Sequence, residues 1–232
     1  KGVMAEASDD EWEPEPKWYK TQPAPIAPAP VNVRKRSAED VADGFASYVV
    51  AEAWLLREIE IANAELGDVR DVSDEAEAED ADHRLRVVEL TLPVSKADYR
   101  GRGARRRLRC ECAGLGAGAV TLCGPCTLWQ QRNKRITELG GDPDDQNSIT
   151  REMECAPLFP TVDGGVPTKA RMVQAWNELR PTGHPALGGH SPRRSGAKRR
   201  VREGWDIQVI MVLGRWASSA ILGYIEEAMA EL

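Results

Sequence analysis

The sequence predicts an α+β fold, mostly helical with a small antiparallel sheet. Three observations carry that expectation. The second half of the chain repeats apolar residues at helical spacing between good capping residues. One short Val/Leu-rich stretch, Leu85 to Leu92, alternates in part and stops at Pro93, as a strand entering a turn does. Gly and Pro stand between these runs, and 232 residues leave room for one substantial domain plus tails.

Residues 1–36 are acidic and then Pro/Ala-rich, as in Glu13-Pro14-Glu15-Pro16 and the run from Pro23 to Pro30. Such a segment buries too little apolar area to offset chain entropy, so it is expected to be a disordered or polyproline-like leader. The folded domain is expected over residues 37–232. Ser37 followed by Asp40 is a capping signal, and Val41, Phe45, Val49, Leu55, Leu56 and Ile59 follow at broadly helical spacing until Gly67. This predicts one long helix that carries Arg57 and Glu60. Asp71 to Asp82 is nearly all acidic residues and alanine, which suits a solvated loop.

After the strand at Leu85 to Leu92 come six arginines, Arg100, Arg102, Arg105, Arg106, Arg107 and Arg109, and then a cysteine-rich insertion over 109–127. Helices are predicted from Thr127 to Leu139, stopped by Gly140-Gly141, and from Thr168 to Leu179, with Met172, Val173, Trp176 and Leu179 on one face. The last forty residues read as three helices: Pro192 to Arg202, a second from its N-cap Asp206 to Gly214, and a final one from near Ser218 that carries Ile221, Leu222, Tyr224 and Ile225.

Charge and cysteine usage narrow the function classes. The net charge is −6, which argues against a uniformly basic nucleic-acid binder. The sum hides an asymmetry: residues 1–100 hold 12 Lys/Arg against 23 Asp/Glu, and residues 101–232 hold 19 against 14. A basic second half behind an acidic leader suits a DNA-binding domain. No apolar run approaches the roughly 20 residues of a membrane span, and the N-terminus lacks the order of a signal peptide, so a soluble, intracellular protein without membrane partners is expected. The chain opens on Lys1, which is compatible with a longer parent protein.

Five cysteines, four of them between Cys110 and Cys126, suit a metal site or reduced thiols better than a disulfide framework. Cys110-x-Cys112 and Cys123-x-x-Cys126 supply enough thiolate for a tetrahedral, structural zinc; the alternative is a set of reduced thiols around the glycine-rich stretch 113–119. Cys155 stands apart and reads as a small apolar residue.

Two segments rise above composition. Gly189-His190-Ser191-Pro192-Arg193, then Gly214-Arg215-Trp216, then Tyr224, resembles the second conserved box of the tyrosine recombinases, in which a His-x-x-Arg, a His or Trp, and a Tyr occur in that order. Trp54-Leu55-Leu56-Arg57-Glu58-Ile59-Glu60, leading to Gly67-Asp68-Val69, resembles that family's first box. Between them Lys96, in Leu92-Pro93-Val94-Ser95-Lys96-Ala97-Asp98, stands where the family places a lysine on a β-hairpin. The resemblance covers about residues 45–232, and the Gly-Arg-Trp variant is most similar to recombinases of eukaryotic DIRS-type mobile elements.

The resemblance implies the tyrosine-recombinase catalytic fold and DNA strand cleavage and rejoining through a 3′-phosphotyrosine, without a catalytic metal. It implies double-stranded DNA as partner, a homotetramer on DNA, and nuclear localisation. Tyr224 would be the nucleophile, a phenol of pKa about 10 that needs a base and a positive field. Arg57 and Arg193 would hold the non-bridging oxygens, since a guanidinium fork donates paired hydrogen bonds and stays charged. Lys96 would protonate the leaving 5′-oxygen, His190 would accept or relay the tyrosine proton, and the indole of Trp216 would donate to the phosphate. The six arginines would sit on DNA phosphates. No helical periodicity precedes residue 37, so the family's N-terminal clamp domain is not expected in this chain. The rival expectation is a catalytically inactive DNA-binding or zinc-stabilised scaffold descended from such an element.

Overall fold

The computed structural model describes residues 37–73, 86–92, 103–110, 112, 123–216 and 220–230. These lie in the unit Arg36–Leu232. The expected leader over residues 1–36 is outside the described residues, and so is most of the acidic loop.

The expected long helix is two helices. The first, α1, spans Gly44–Ala53, and the second, α2, spans Glu58–Ala62. Between them Leu55 takes a left-handed backbone, φ 56°. The reason is burial: Trp54, Leu55 and Leu56 are all in the core. A continuous helix would spread three consecutive side chains over most of its circumference and drive one of them toward solvent. Breaking the helix turns all three inward and leaves the carbonyls of Ala53 and Leu55 without helical partners. Buried arginines of a later helix take both, as described below.

The sheet is a three-stranded antiparallel meander, β1 Val69–Asp71, β2 Val87–Leu92 and β3 Ala104–Arg109, in the order β1-β2-β3. Its middle strand is the one the sequence predicts; Arg86 precedes it, and Leu85 lies outside the described residues. Register pairs Val69 with Leu90, and Leu90 in turn with Arg106. Ala104, Arg106 and Leu108 therefore share the face of Val88, Leu90 and Leu92, which are buried, while Arg105, Arg107 and Arg109 share the other. On that second face Glu89, 1% exposed, accepts from Arg107 Nε at 2.7 Å and pairs with Arg70 at 3.6 Å.

The remaining helices are α3 Gly124–Glu138, α4 Arg151–Glu154, α5 Lys169–Glu178, α6 Ser191–Arg202, α7 Ile207–Gly214 and α8 Ala220–Ala230. The first turn of α3 starts three residues earlier than the spacing predicts, with Cys123 as its N-cap. Asp206 caps α7 as expected, accepting from the backbone N–H of Gln208 at 2.7 Å. Helix α1 lies at the centre and packs on α3, α5 and α6; α6 packs on α7 and α8, and α3 covers β1 and β2. Trp54, Trp176, Phe159, Leu128 and Ile136 fill the core, each contributing about 1.5–3 kcal/mol of apolar burial. Gly196 lets α6 approach α1 closely, since a Cβ there would collide with the Glu52 carbonyl. No helix among the described residues is long and apolar enough to cross a membrane.

Asp43, at the N-cap of α1, ties that helix to α3 through Lys134 at 2.5 Å and Gln131 at 3.0 Å. Burial opposes its ionisation, but the hydrogen bonds and charge of these partners prevail and hold its carboxyl below the usual range. A carboxyl lowered on folding adds stability above its unfolded pKa and loses it as pH falls through the folded one. Asp43→Asn should therefore lower the thermal midpoint at neutral pH. Its deficit should shrink as pH falls below the ordinary carboxylate range and through the lowered folded pKa, in melts of both proteins across pH.

Candidate functional site

The site grows from the break after α1. Arg57 is the N-cap of α2, and its backbone N–H donates to Glu60 Oε2 at 2.9 Å. Glu60 is buried, and it serves three arginines at once. Besides Arg57, Arg193 Nη1 lies 3.8 Å from Oε2, and the Arg215 guanidinium pairs with Oε1.

Arg193 sits on the first turn of α6 and is 3% exposed. It donates from Nη1 to the Leu55 carbonyl at 3.3 Å and from Nη2 to the Gly214 carbonyl. Its guanidinium lies 4.2 Å from the centroid of the Trp216 ring, a stacked cation–π arrangement. Two helical turns along, Arg200 is fully buried, donates to the Ala53 carbonyl at 2.6 Å and stacks on Trp205 at 4.1 Å. These two arginines satisfy the carbonyls freed by the break, which explains how a helix as basic as α6 comes to be buried.

Trp216 in turn meets Tyr224 of α8, ring centroids 6.0 Å apart and planes at 65°. Gly214 makes room for the indole, because a Cβ there would run into the ring. His190 is the exposed N-cap residue of α6, three before Arg193. Its loop is fastened beside Arg57: the Gly189 carbonyl accepts from the backbone N–H of Glu58 at 3.1 Å.

Electrostatics agrees with the geometry. Burial pushes the Arg193 guanidinium down to about 10, opposed by Glu60 and reinforced by the charges of Arg57 and Arg215, with Tyr224 also within reach. Arg57, Arg193 and Arg215 thus lie close enough to act on one another's charge, with Glu60 between Arg193 and Arg215. Grouped cations beside a phenol in a low-dielectric surround would attract an anionic group. The Nε of Arg57 is buried without a hydrogen-bond partner among the described residues.

Of the catalytic candidates, Arg57, Arg193, Trp216 and Tyr224 are joined by these interactions, and His190 adjoins them on the chain. Lys96 lies outside the described residues, as do Arg100 and Arg102. The four remaining arginines of that cluster divide by the strand's alternation. Arg105 and Arg109 are exposed, Arg107 faces Glu89, and Arg106 turns toward the site, donating to the Val212 carbonyl at 3.0 Å. Burial, and then the charge of Arg215, lowers the Arg106 pKa. Sequence reasoning assigned no role to Glu60 or Arg215, although both stand inside the quoted motifs, and it did not separate Arg106 from its neighbours. Counting by twos from Leu108 would have put Arg106 on the inner face.

The four cysteines converge at the far end of β3. Cys110 Sγ is 3.2 Å from Cys126 Sγ and 3.7 Å from Cys123 Sγ, and Cys112 Sγ is 3.8 Å from Cys126 Sγ. All four sulfurs lie within 4.8 Å of one another, so the group could hold a metal ion. Burial, and then the neighbouring sulfurs, push the Cys126 thiol up from its ordinary range, and a bound cation would reverse that preference. Cys155 is exposed and apart, not the buried apolar residue its type suggests. No protein-family model and no curated protein matches the chain.

Proposed function

We propose that the chain is a tyrosine-type DNA strand-transfer protein that cleaves and rejoins DNA through a 3′-phosphotyrosine on Tyr224. The observation that carries this reading is the meeting, from three distant stretches of sequence, of Arg57, Arg193, Trp216 and Tyr224 around Glu60. The Tyr224 oxygen attacks the phosphorus, the phosphotyrosine bond forms, and the bond to the 5′-oxygen breaks. The leaving oxygen takes a proton, for which Lys96 is the candidate donor. Arg57 and Arg193 stabilise the extra charge on the non-bridging oxygens, an effect worth about 3–4 kcal/mol per donor by analogy with oxyanion holes. His190 takes the tyrosine proton. Exposed Arg105 and Arg109 extend the positive surface toward DNA phosphates.

The test is incubation with a nicked suicide DNA duplex followed by denaturing electrophoresis. A protein band shifted by the mass of the DNA strand supports the reading; tight DNA binding with no adduct on any substrate would leave the inactive scaffold in its place.

The cysteine group is proposed to hold a structural zinc. A tetrahedron with Zn–S bonds of about 2.3 Å has sulfurs about 3.8 Å apart, which Cys112–Cys126 at 3.8 Å and Cys110–Cys123 at 3.7 Å match and Cys110–Cys126, at 3.2 Å, falls short of. The ion would fasten the end of β3, through Cys110 and Cys112, to the first turn of α3, through Cys123 and Cys126. Purified protein should contain one equivalent of zinc, and Cys123→Ser should lower the thermal midpoint by more than about 5 °C. Metal-free protein that melts with the parent would remove the assignment.

A further inference from the structure

Arg215 occupies the site under conditions that a generic surface arginine does not meet. It is the C-cap residue of α7 and has a left-handed backbone, φ 56° and ψ 41°. That position favours glycine, and an arginine there holds a conformation most side chains avoid. The glycine of the pair is Gly214, one residue earlier, where its missing Cβ admits the Trp216 ring and its carbonyl receives Arg193. The strained conformation thus falls on residue 215, where the backbone would be relaxed with glycine and the side chain is arginine instead. Strain retained at a charged cluster points to a use for the side chain.

Its surroundings say what the use is. Arg215 is largely buried, pairs with the Glu60 oxygen opposite the one that faces Arg193, and contributes to lowering the Arg193 pKa. Arg193 and Arg215 take opposite oxygens of one carboxylate, Oε2 of which also accepts from the Arg57 backbone N–H, and the charges of Arg57 and Arg215 both act on Arg193. We propose that Arg215 is a third guanidinium of the phosphate pocket, held by Glu60 and donating to a non-bridging oxygen of the phosphodiester beside Arg57 and Arg193. The proposal rests on the strand-transfer reading for its substrate, and deepens it by naming a ligand of the transition state. Arg106, fixed to the Val212 carbonyl at 3.0 Å, stands close enough for the Arg215 charge to act on it, so a further cation borders the group.

The experiment compares the full chain with R215G, which suits the existing backbone, and with R215K, which keeps charge and loses the fork. Two DNAs are used: the nicked suicide duplex, and the same duplex with an uncharged methylphosphonate at the scissile position. Adduct formation by R215G should slow at least about 10²-fold on the phosphodiester and less than about tenfold on the methylphosphonate, with R215K between. The dependence of log affinity on log salt should fall by about 0.9 in R215G, one phosphate's worth. Thermal melts report whether each variant is folded.

Equal rates for R215G and parent overturn the proposal, and so does a deficit of the same size on both DNAs, which would mark a structural role. Loss of the folding transition in both variants also overturns it. If the parent itself forms no adduct, the strand-transfer reading fails, and the salt slope alone decides: a reduced slope keeps Arg215 as a phosphate ligand, an unchanged slope removes it.

Discussion

Tyr224→Phe should abolish the covalent DNA adduct and leave DNA affinity within about twofold of the parent, because the change removes the nucleophilic oxygen and no charge. The packing supports so clean a separation. Tyr224 is half-buried on α8, and its contact with Trp216 is made by the ring, edge on at 6.0 Å, which phenylalanine retains. Glu60, Arg193 and Arg215 are held by one another and by the backbone around α2 and α7, contacts that phenylalanine at 224 leaves in place. The variant should therefore melt with the parent and show the same salt dependence of binding. Electrophoresis and filter binding on the same DNA check both halves. An adduct formed by the phenylalanine variant would place the nucleophile elsewhere.

How far the sequence discloses this arrangement depends on which physical signal each element uses. Helices α5 and α7 are legible because local signals and burial agree: Thr168 and Asp206 cap them, and Met172 and Trp176, or Ile210 and Leu213, face the core. The break after α1 is not legible, since Trp54-Leu55-Leu56 continues a helical pattern and only their joint burial reveals that it must end. Strand β3 hides for another reason. Its alternation is written mostly in arginines, and a period of two shows in apolar residues only at Ala104 and Leu108.

The same limit applies to the site. Composition makes α6 a surface helix, with Arg193, Arg194, Lys198, Arg199, Arg200 and Arg202. Yet Arg193 and Arg200 are interior because the carbonyls freed by the broken helix need donors. Residue order along the chain pointed to Arg57, Arg193, Trp216 and Tyr224. The role of Glu60 as the hub of the cluster is a property of three-dimensional contact, and spacing alone carries no sign of it.

That hub makes Arg193→Ala the more damaging of the two central substitutions. Truncation leaves the Leu55 and Gly214 carbonyls without their guanidinium donor and strips Trp216 of its stacked cation. It also takes one cation away from Glu60, but Arg215 still pairs with that carboxylate, so the charge is not abandoned. Unpaired buried carbonyls cost about 1–3 kcal/mol each, and losses of that size in a domain of this length lower the melting midpoint by roughly 5–15 °C. Cleavage should fall by more than about 10³-fold even well below the new midpoint, because in the proposed strand transfer the same guanidinium is a donor to the developing phosphate charge.

Stability and chemistry can be told apart with Arg193→Lys. An ammonium reaches one carbonyl and keeps the positive charge, so part of the lost midpoint should return, whereas the paired donation to two phosphate oxygens does not. Calorimetry on both variants, with adduct formation measured at a temperature where each is folded, separates the effects. If Arg193→Ala cleaves DNA at the parent rate while folded, the guanidinium serves only to seal the end of α1, and the phosphate pocket must be built on Arg57 and Arg215 instead.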